Sequence, residues 1–217
     1  MIYQVLSPDN PICQGDIFVR LPRVDLSLDR FIILTEDAER AASWAEVAPT
    51  DEAIKAVVSV RSVAAIVASQ DCDAQHERDI TLCEIRSFLE VCGLPEPTTP
   101  KAWISLITRQ SRLNLKWFYL PPDDSIGFSQ RMAVDFRVTL RVPRKDLEGL
   151  IHLRKGRLNA RAYDHFRERL SEFFRRYSYD EWYPFNPEEL ASYREKYPEA
   201  LPFSWQEKEP KSVEEER

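Results

Sequence analysis

An α+β fold is predicted for this 217-residue chain by three features of its sequence. Short runs rich in β-branched and aromatic residues crowd the first two thirds; one of them, Met132 to Val142, alternates apolar and polar residues; and an amphipathic helical repeat follows Asn159. Hydrophobic residues make up 43% and charged residues 30%, a balance that suits a globular domain and excludes disorder throughout. No apolar run approaches the roughly 20 residues of a membrane span. The start of the chain lacks the basic-then-apolar order of a signal peptide, so a cytoplasmic protein is expected. Cys13, Cys72, Cys83 and Cys92 include no tight pair, and reduced thiols are expected.

Each element follows from a local pattern. Gly15 precedes Asp16-Ile17-Phe18-Val19-Arg20, a strand that Pro22 is expected to stop, and Phe31 to Leu34 repeats the signal. The Ala/Glu-rich segment from Glu36 to Val47 is read as a helix, and the valine- and alanine-dense stretch from Ala56 to Ser69 as one or two buried strands. Ile80 to Ile85 forms the next strand, which makes Gln70 to Asp79 a connecting loop. Thr99-Pro100 caps a helix to about Arg112. In the run from Met132 to Val142 the even positions are expected to be buried, with Asp135, Arg137 and Arg141 on the opposite face. Asn159 caps a helix whose apolar positions Tyr163, Phe166, Leu170, Phe173, Phe174 and Tyr177 recur at three and four, with Glu172 and Arg176 paired outside. A short helix is expected from Asn186-Pro187 to about Lys196, and a frayed tail after Trp205.

Charge is uneven along the chain. Residues 1–100 hold 8 Lys+Arg against 17 Asp+Glu, residues 101–177 hold 17 against 8, and residues 178–217 hold 5 against 11. The basic middle can meet phosphates or an acidic partner, or it can neutralise the acidic ends of its own chain. The five glycines are scattered, so neither a phosphate-cradling loop nor a dinucleotide fingerprint can be built. Cys72, His76 and Cys83 fit no common zinc spacing, and neither a metal nor a cofactor is expected. In the loop Ser69-Gln70-Asp71-Cys72-Asp73 two carboxylates flank a cysteine, which opposes a thiolate nucleophile and argues against cysteine catalysis with His76 as base. Such a loop is either an exposed recognition patch or a turn whose Ser and Asp side chains brace the backbone.

Gly15-Asp16-Ile17, the apolar strand closing at Val67-Ala68-Ser69, the Gln70-Asp71-Cys72-Asp73 loop and the strand Ile80 to Ile85 together resemble a group of uncharacterised bacterial proteins. In that group a Gly-Asp-Ile start is followed by a Ser-Gln-x-Cys-Asp loop. Phe118-Tyr119-Leu120-Pro121, Val134-Asp135-Phe136-Arg137 and the helix from Arg157 to Arg176 extend the likeness over most of residues 15–177. The first half also resembles, more distantly, the PemK/MazF toxin family. That likeness implies an SH3-like curled antiparallel β-barrel, here with an inserted helix and with C-terminal helices packed on it. The implied organisation is a barrel-like domain over residues 1–155, a helical region over 156–204 and a charged tail over 205–217. The family cleaves RNA, and the resemblance brings Arg61 and Ser87 nearest its catalytic positions, although Arg86-Ser87 stands in place of the usual Pro-x-Thr.

The expected function is therefore a non-catalytic binding module or accessory subunit of a toxin–antitoxin or antiviral-defence system. Ser69, Gln70, Asp71, Cys72 and Asp73, with Asp135, Arg137 and Arg141, would hold a protein or an RNA. The alternative is a MazF-like endoribonuclease using Arg61 and Ser87. The aromatic run Trp182-Tyr183-Pro184-Phe185 also suits a subunit of a larger assembly.

Overall fold

A computed structural model describes residues 2–35, 38–50, 53–113, 115–175, 188, 192 and 195. The chain divides into two units, Met1–Phe173 and Phe174–Arg217, and the first is described below. In chain order its elements are β1 (Tyr3–Gln4), β2 (Asp16–Asp25), β3 (Phe31–Leu34), β4 (Glu39–Ala42), α1 (Trp44–Val47), β5 (Lys55–Val57), β6 (Ser59–Val67), α2 (Asp71–His76), β7 (Asp79–Ser87), α3 (Phe88–Cys92), α4 (Pro100–Leu113), β8 (Trp117–Leu120), β9 (Met132–Pro143), α5 (Arg144–Gly149), β10 (Arg154–Leu158) and α6 (Ala160–Arg175), which runs two residues past the unit boundary. Helices on an antiparallel sheet make this an α+β fold.

The main sheet has seven strands in the order β1-β10-β2-β6-β7-β9-β8, every pairing antiparallel. It curls into a half-barrel. Pro22 and Arg23 of β2 and Arg137 to Val142 of β9 line one cleft although β6 and β7 lie between the two strands. A small sheet, β4-β3-β5, buries Phe31, Ile33, Ala42 and Val47 in a core of its own.

Alternation along β6 divides the main core by face. Ala64 and Ile66 pack with Ile17, Phe118, Val134 and Phe136 under Phe166, Leu170 and Phe173 of α6. Val63, Ala65 and Val67 pack on the other face with Leu21, Leu82, Ala74 of α2 and Leu147 of α5. A third cluster, Phe88, Trp103, Trp117 and Ala133, joins α3 and α4 to the far end of the sheet. The Asn159 side chain accepts the Ala162 N–H at 3.0 Å, so α6 begins at the expected cap. Thr99 likewise accepts the Ala102 N–H at 3.2 Å at the start of α4.

Several expectations change. Pro22 does not stop β2. From Leu21 onward β10 no longer pairs with that strand, so the missing N–H falls on a locally free edge. The segment read as a helix from Glu36 to Val47 is strand β4 followed by the single turn α1, because a short amphipathic stretch gains more by burying Ala42 and Val47 against β3 than from isolated helix propensity. The connection from Gln70 to Asp79 contains α2, and the basic stretch after Arg144 contains α5 and β10. Phe174 is exposed, and Glu172 pairs with Arg169 at 3.6 Å.

The even residues of β9 are not all on one face. Cys83 stands opposite Thr139 but Glu84 stands opposite Asp135, so β9 carries three extra residues against β7. An odd insertion reverses the alternation. Val134 and Phe136 therefore enter the core under α6, whereas Leu140 and Val142 pack on the opposite face. Tyr177, Arg176, the run Trp182 to Phe185 and the tail after Trp205 lie outside the described residues, as does nearly all of the helix expected to reach Lys196. Among the described residues no helix is long and apolar enough to cross a membrane.

Candidate functional site

Two polar clusters stand on the sheet. The first joins the Gly-Asp-Ile and Ser-Gln-Asp-Cys-Asp motifs. Gly15 takes φ +87° and donates its N–H to the Val67 carbonyl at 2.9 Å, which turns the chain into β2. A Cβ on Gly15 would meet the Tyr163 ring at 3.4 Å. The neighbouring Gln14 donates its backbone N–H to Asp71 Oδ1 at 2.8 Å and its side-chain amide to the Ala68 carbonyl at 2.7 Å. The Tyr163 hydroxyl of α6 donates to Asp71 Oδ2, also at 2.8 Å. Asp71 thus ties the entrance of β2, the end of β6 and α6 together. Burial, then this bond to a carboxylate, pushes the Tyr163 hydroxyl up to about 12.

Asp16 is fully buried beneath that turn. It accepts from Arg154 Nη1 and the Cys13 N–H at 3.1 Å each, from Arg157 Nη2 at 3.0 Å and from Arg157 Nε. The two arginines use their remaining N–H groups on the Ser7 and Pro11 carbonyls, so they also fasten the segment before β2. A buried carboxylate is tolerated because its lone pairs are filled by charged donors. Burial raises the Cys13 thiol, with the Arg157 charge opposing, which leaves it a poor nucleophile.

Of the Ser69–Asp73 loop, then, Asp71 is a brace. Ser69 is one as well, since its Oγ accepts the Thr81 N–H at 2.9 Å. Gln70, Cys72 and Asp73 are exposed, and the Cys72 thiol donates to Asp73 Oδ1 at 3.4 Å. Cys83 lies in the core under α6, away from an exposed Cys72, and among the described residues no three His, Cys, Asp or Glu side chains gather as a metal would need.

The second cluster occupies the other face, between the core clusters under α2/α5 and α3/α4. Glu84 and Asp135 stand directly opposite one another in the ladder, 2% and 1% exposed. Each is neutralised by arginines. Glu84 takes Arg23, and Arg61 Nη2 at 3.4 Å. Asp135 takes both arms of Arg137 at 2.8 Å and Arg86 at 3.8 Å. Arg61 and Arg23 also reach Asp25, at 2.8 and 3.3 Å. Farther along β9, Arg141 pairs with Asp79 at 2.9 Å. Arg23 and Arg137 line a cleft of about 490 Å³ on this face, and Arg141 borders it from the stretch of β9 where the phase has reversed, so that its side chain, alternating with Leu140 and Val142, leaves on the opposite face.

The structure thus brings Asp135 and Arg137 together and sets Arg141 on a carboxylate of its own. It does not bring Arg61 and Ser87 together. Arg61 shares the face of Val63 and Ala65, while Ser87, in step with Ile85, belongs to the opposite one. The sequence reading missed Gln14, Arg154, Arg157 and Tyr163 as partners of the two motifs, and Glu84 as a buried acid. An isolated acid inside the apolar run from Ile80 to Ile85 was the available signal for Glu84.

No family model, curated protein or solved structure matches this chain.

Proposed function

We propose that the protein is a non-catalytic binding module or accessory subunit that holds a partner protein at the arginine-bordered cleft of its curled sheet, with RNA as the second candidate. One observation carries the reading: the cleft is open and its arginines are pre-oriented by carboxylates behind them. The Arg137 and Arg141 side chains are 45% and 78% exposed yet each is fixed by a short bond to Asp135 or Asp79. A planar guanidinium held in this way keeps donors for a partner's carbonyls and carboxylates without the entropy cost of ordering a free side chain. Favouring protein over RNA, Asp25, Asp79, Glu84 and Asp135 already balance most of the charge of Arg23, Arg61, Arg86, Arg137 and Arg141, so a phosphate backbone would have to displace carboxylates.

The curled half-barrel is compatible with the proposed SH3-like, PemK/MazF-like barrel, and the resemblance in the first half of the chain suggests the proposed toxin–antitoxin or antiviral-defence setting. Arg137→Ala with Arg141→Ala tests the reading. Proteins that co-purify with the native chain should be retained at least tenfold less by the double variant, with its circular dichroism unchanged. Equal retention overturns the assignment of the cleft. Cleavage of RNA by the native chain that vanishes in Arg61→Ala replaces it with an endoribonuclease.

A further inference from the structure

Among the described residues the last strand of the main sheet has an unused edge. There β8 pairs only with β9, and the Lys116 carbonyl accepts the Phe136 N–H at 2.9 Å, which fixes the phase of that ladder. Residues 118 and 120 then bond inward to β9, while the N–H and C=O of Trp117 and Tyr119 point away from it. Beside this edge lies a cleft of about 920 Å³, walled by Trp117 and Tyr119 with Ile107 of α4 and Ala162, His165 and Arg169 of α6. Trp117 is 1% exposed and its indole N–H has no acceptor among the described residues. A buried donor without a partner is costly, which makes this wall incomplete as it stands. The charged side chains around the cleft, Arg161 and Arg169, are both basic, no acid among the described residues lines it, and Arg169 also reaches Glu172 on its own helix at 3.6 Å.

We infer that β8 is a docking edge for an extended, acidic-flanked apolar peptide of a partner protein, which adds an eighth strand through the backbone of Trp117 and Tyr119. Such strand addition draws affinity from main-chain hydrogen bonds and specificity from alternate side chains. Here one side chain in two would enter the apolar cleft, and a carboxylate at the peptide's end would meet Arg161. The outward carbonyls and amides alternate along only Trp117–Leu120, so the edge accepts a strand of about four residues, too short for stable self-stacking and long enough for a peptide. This edge is separate from the arginine cleft of the proposed function, and it stands or falls independently of that reading.

The test uses the full chain against a displayed library of random twelve-residue peptides, with hydrogen exchange read by NMR. Selected peptides should be rich in Asp or Glu beside β-branched or aromatic residues. Their binding should slow exchange at the Tyr119 amide at least tenfold and shift the Trp117 indole N–H resonance, while Phe118 and Leu120, already bonded to β9, change little. Arg161→Glu should weaken the selected peptides tenfold or more, backbone N-methylation of a peptide should abolish its binding, and Arg137→Ala with Arg141→Ala should leave it intact. The inference is overturned if no selected peptide protects Tyr119, or if basic-flanked peptides bind equally well. It is also overturned if the Tyr119 amide is already protected in the free chain, because the edge is then occupied by this chain or by a second copy, which a mass measurement separates.

Discussion

Replacing Asp16 by Asn removes one charge from the most enclosed ion cluster in the protein and changes almost no volume. Asp16 is 0% exposed and Arg154 only 3%, so neither can turn to water when its partner is lost. Four donors converge on the carboxylate: the Cys13 N–H, Arg154 Nη1 and two nitrogens of Arg157. Asparagine offers one acceptor oxygen and places an NH2 donor where the other oxygen stood, so donors face a donor and the Arg154 charge stays buried without a counter-charge. Breaking a buried pair from one side costs about 3–5 kcal/mol. For a domain of this size each kcal/mol is about 2–4 °C in Tm, so a drop of roughly 6–20 °C is expected in thermal unfolding followed by circular dichroism. Arg154→Met alone should cost a comparable amount. The double change Asp16→Asn with Arg154→Met should cost clearly less than the two single losses added, because the most deeply buried charge, Arg154, is no longer left without a partner and only the partly exposed Arg157 keeps an uncompensated charge. A single-variant drop below about 2 °C, or strict additivity, refutes the clamp.

Asp71→Asn should lower stability by about 1–3 kcal/mol through its bonds to Gln14 and Tyr163, while Asp73→Asn stays within about 0.5 kcal/mol; urea midpoints of the two single variants check this. Equal, small effects would return Asp71 to the surface. Phe136→Ala should cost about 3–5 kcal/mol, since its ring packs on Phe166 and Phe173, and an unchanged melting midpoint would place it outside the core. The Tyr163 hydroxyl is raised above its unfolded value of 10.0 to about 12, so its neutral form is favoured by folding. That contribution is complete below pH 10 and is lost as pH rises toward 12, so the stability difference between native chain and Tyr163→Phe should shrink over that interval; a constant difference refutes the bond to Asp71.

The long periodic elements were readable because a single physical signal decided them. Asn159 and the spacing Phe166-Leu170-Phe173 define α6 without help from the rest of the chain, and Thr99 does the same for α4. The bulge in β9 left no such mark. Its sequence alternates without a break from Met132 to Val142, and only the pairing with β7 shows that the phase reverses between Val134 and Leu140. The motif residues were visible as a pattern, but their use was not. Asp16 reads only as the first residue of a strand, and Asp71 as either a recognition residue or a brace, until Arg154, Arg157 and Tyr163 arrive from the other end of the chain. Those contacts span 138, 141 and 92 residues, beyond the reach of any local rule.

The place of β10 between β1 and β2 has a consequence for biosynthesis. Among the described residues strand β1 has no ladder partner except β10, and the outer edge of β2 at Asp16–Phe18 is covered only by it. A ribosome adding about 5–20 residues per second needs on the order of ten to thirty seconds to travel from Asp16 to Arg157. Throughout that time the nascent chain presents Asp16 without its arginines, and the β10-facing edge of β2 at Asp16–Phe18 stays open even after β6 has emerged to pair with the other side. The sheet closes as a late insertion event rather than by growth from one end, so the interval before Arg154–Leu158 emerges is when this protein is most open to aggregation or to capture by a chaperone.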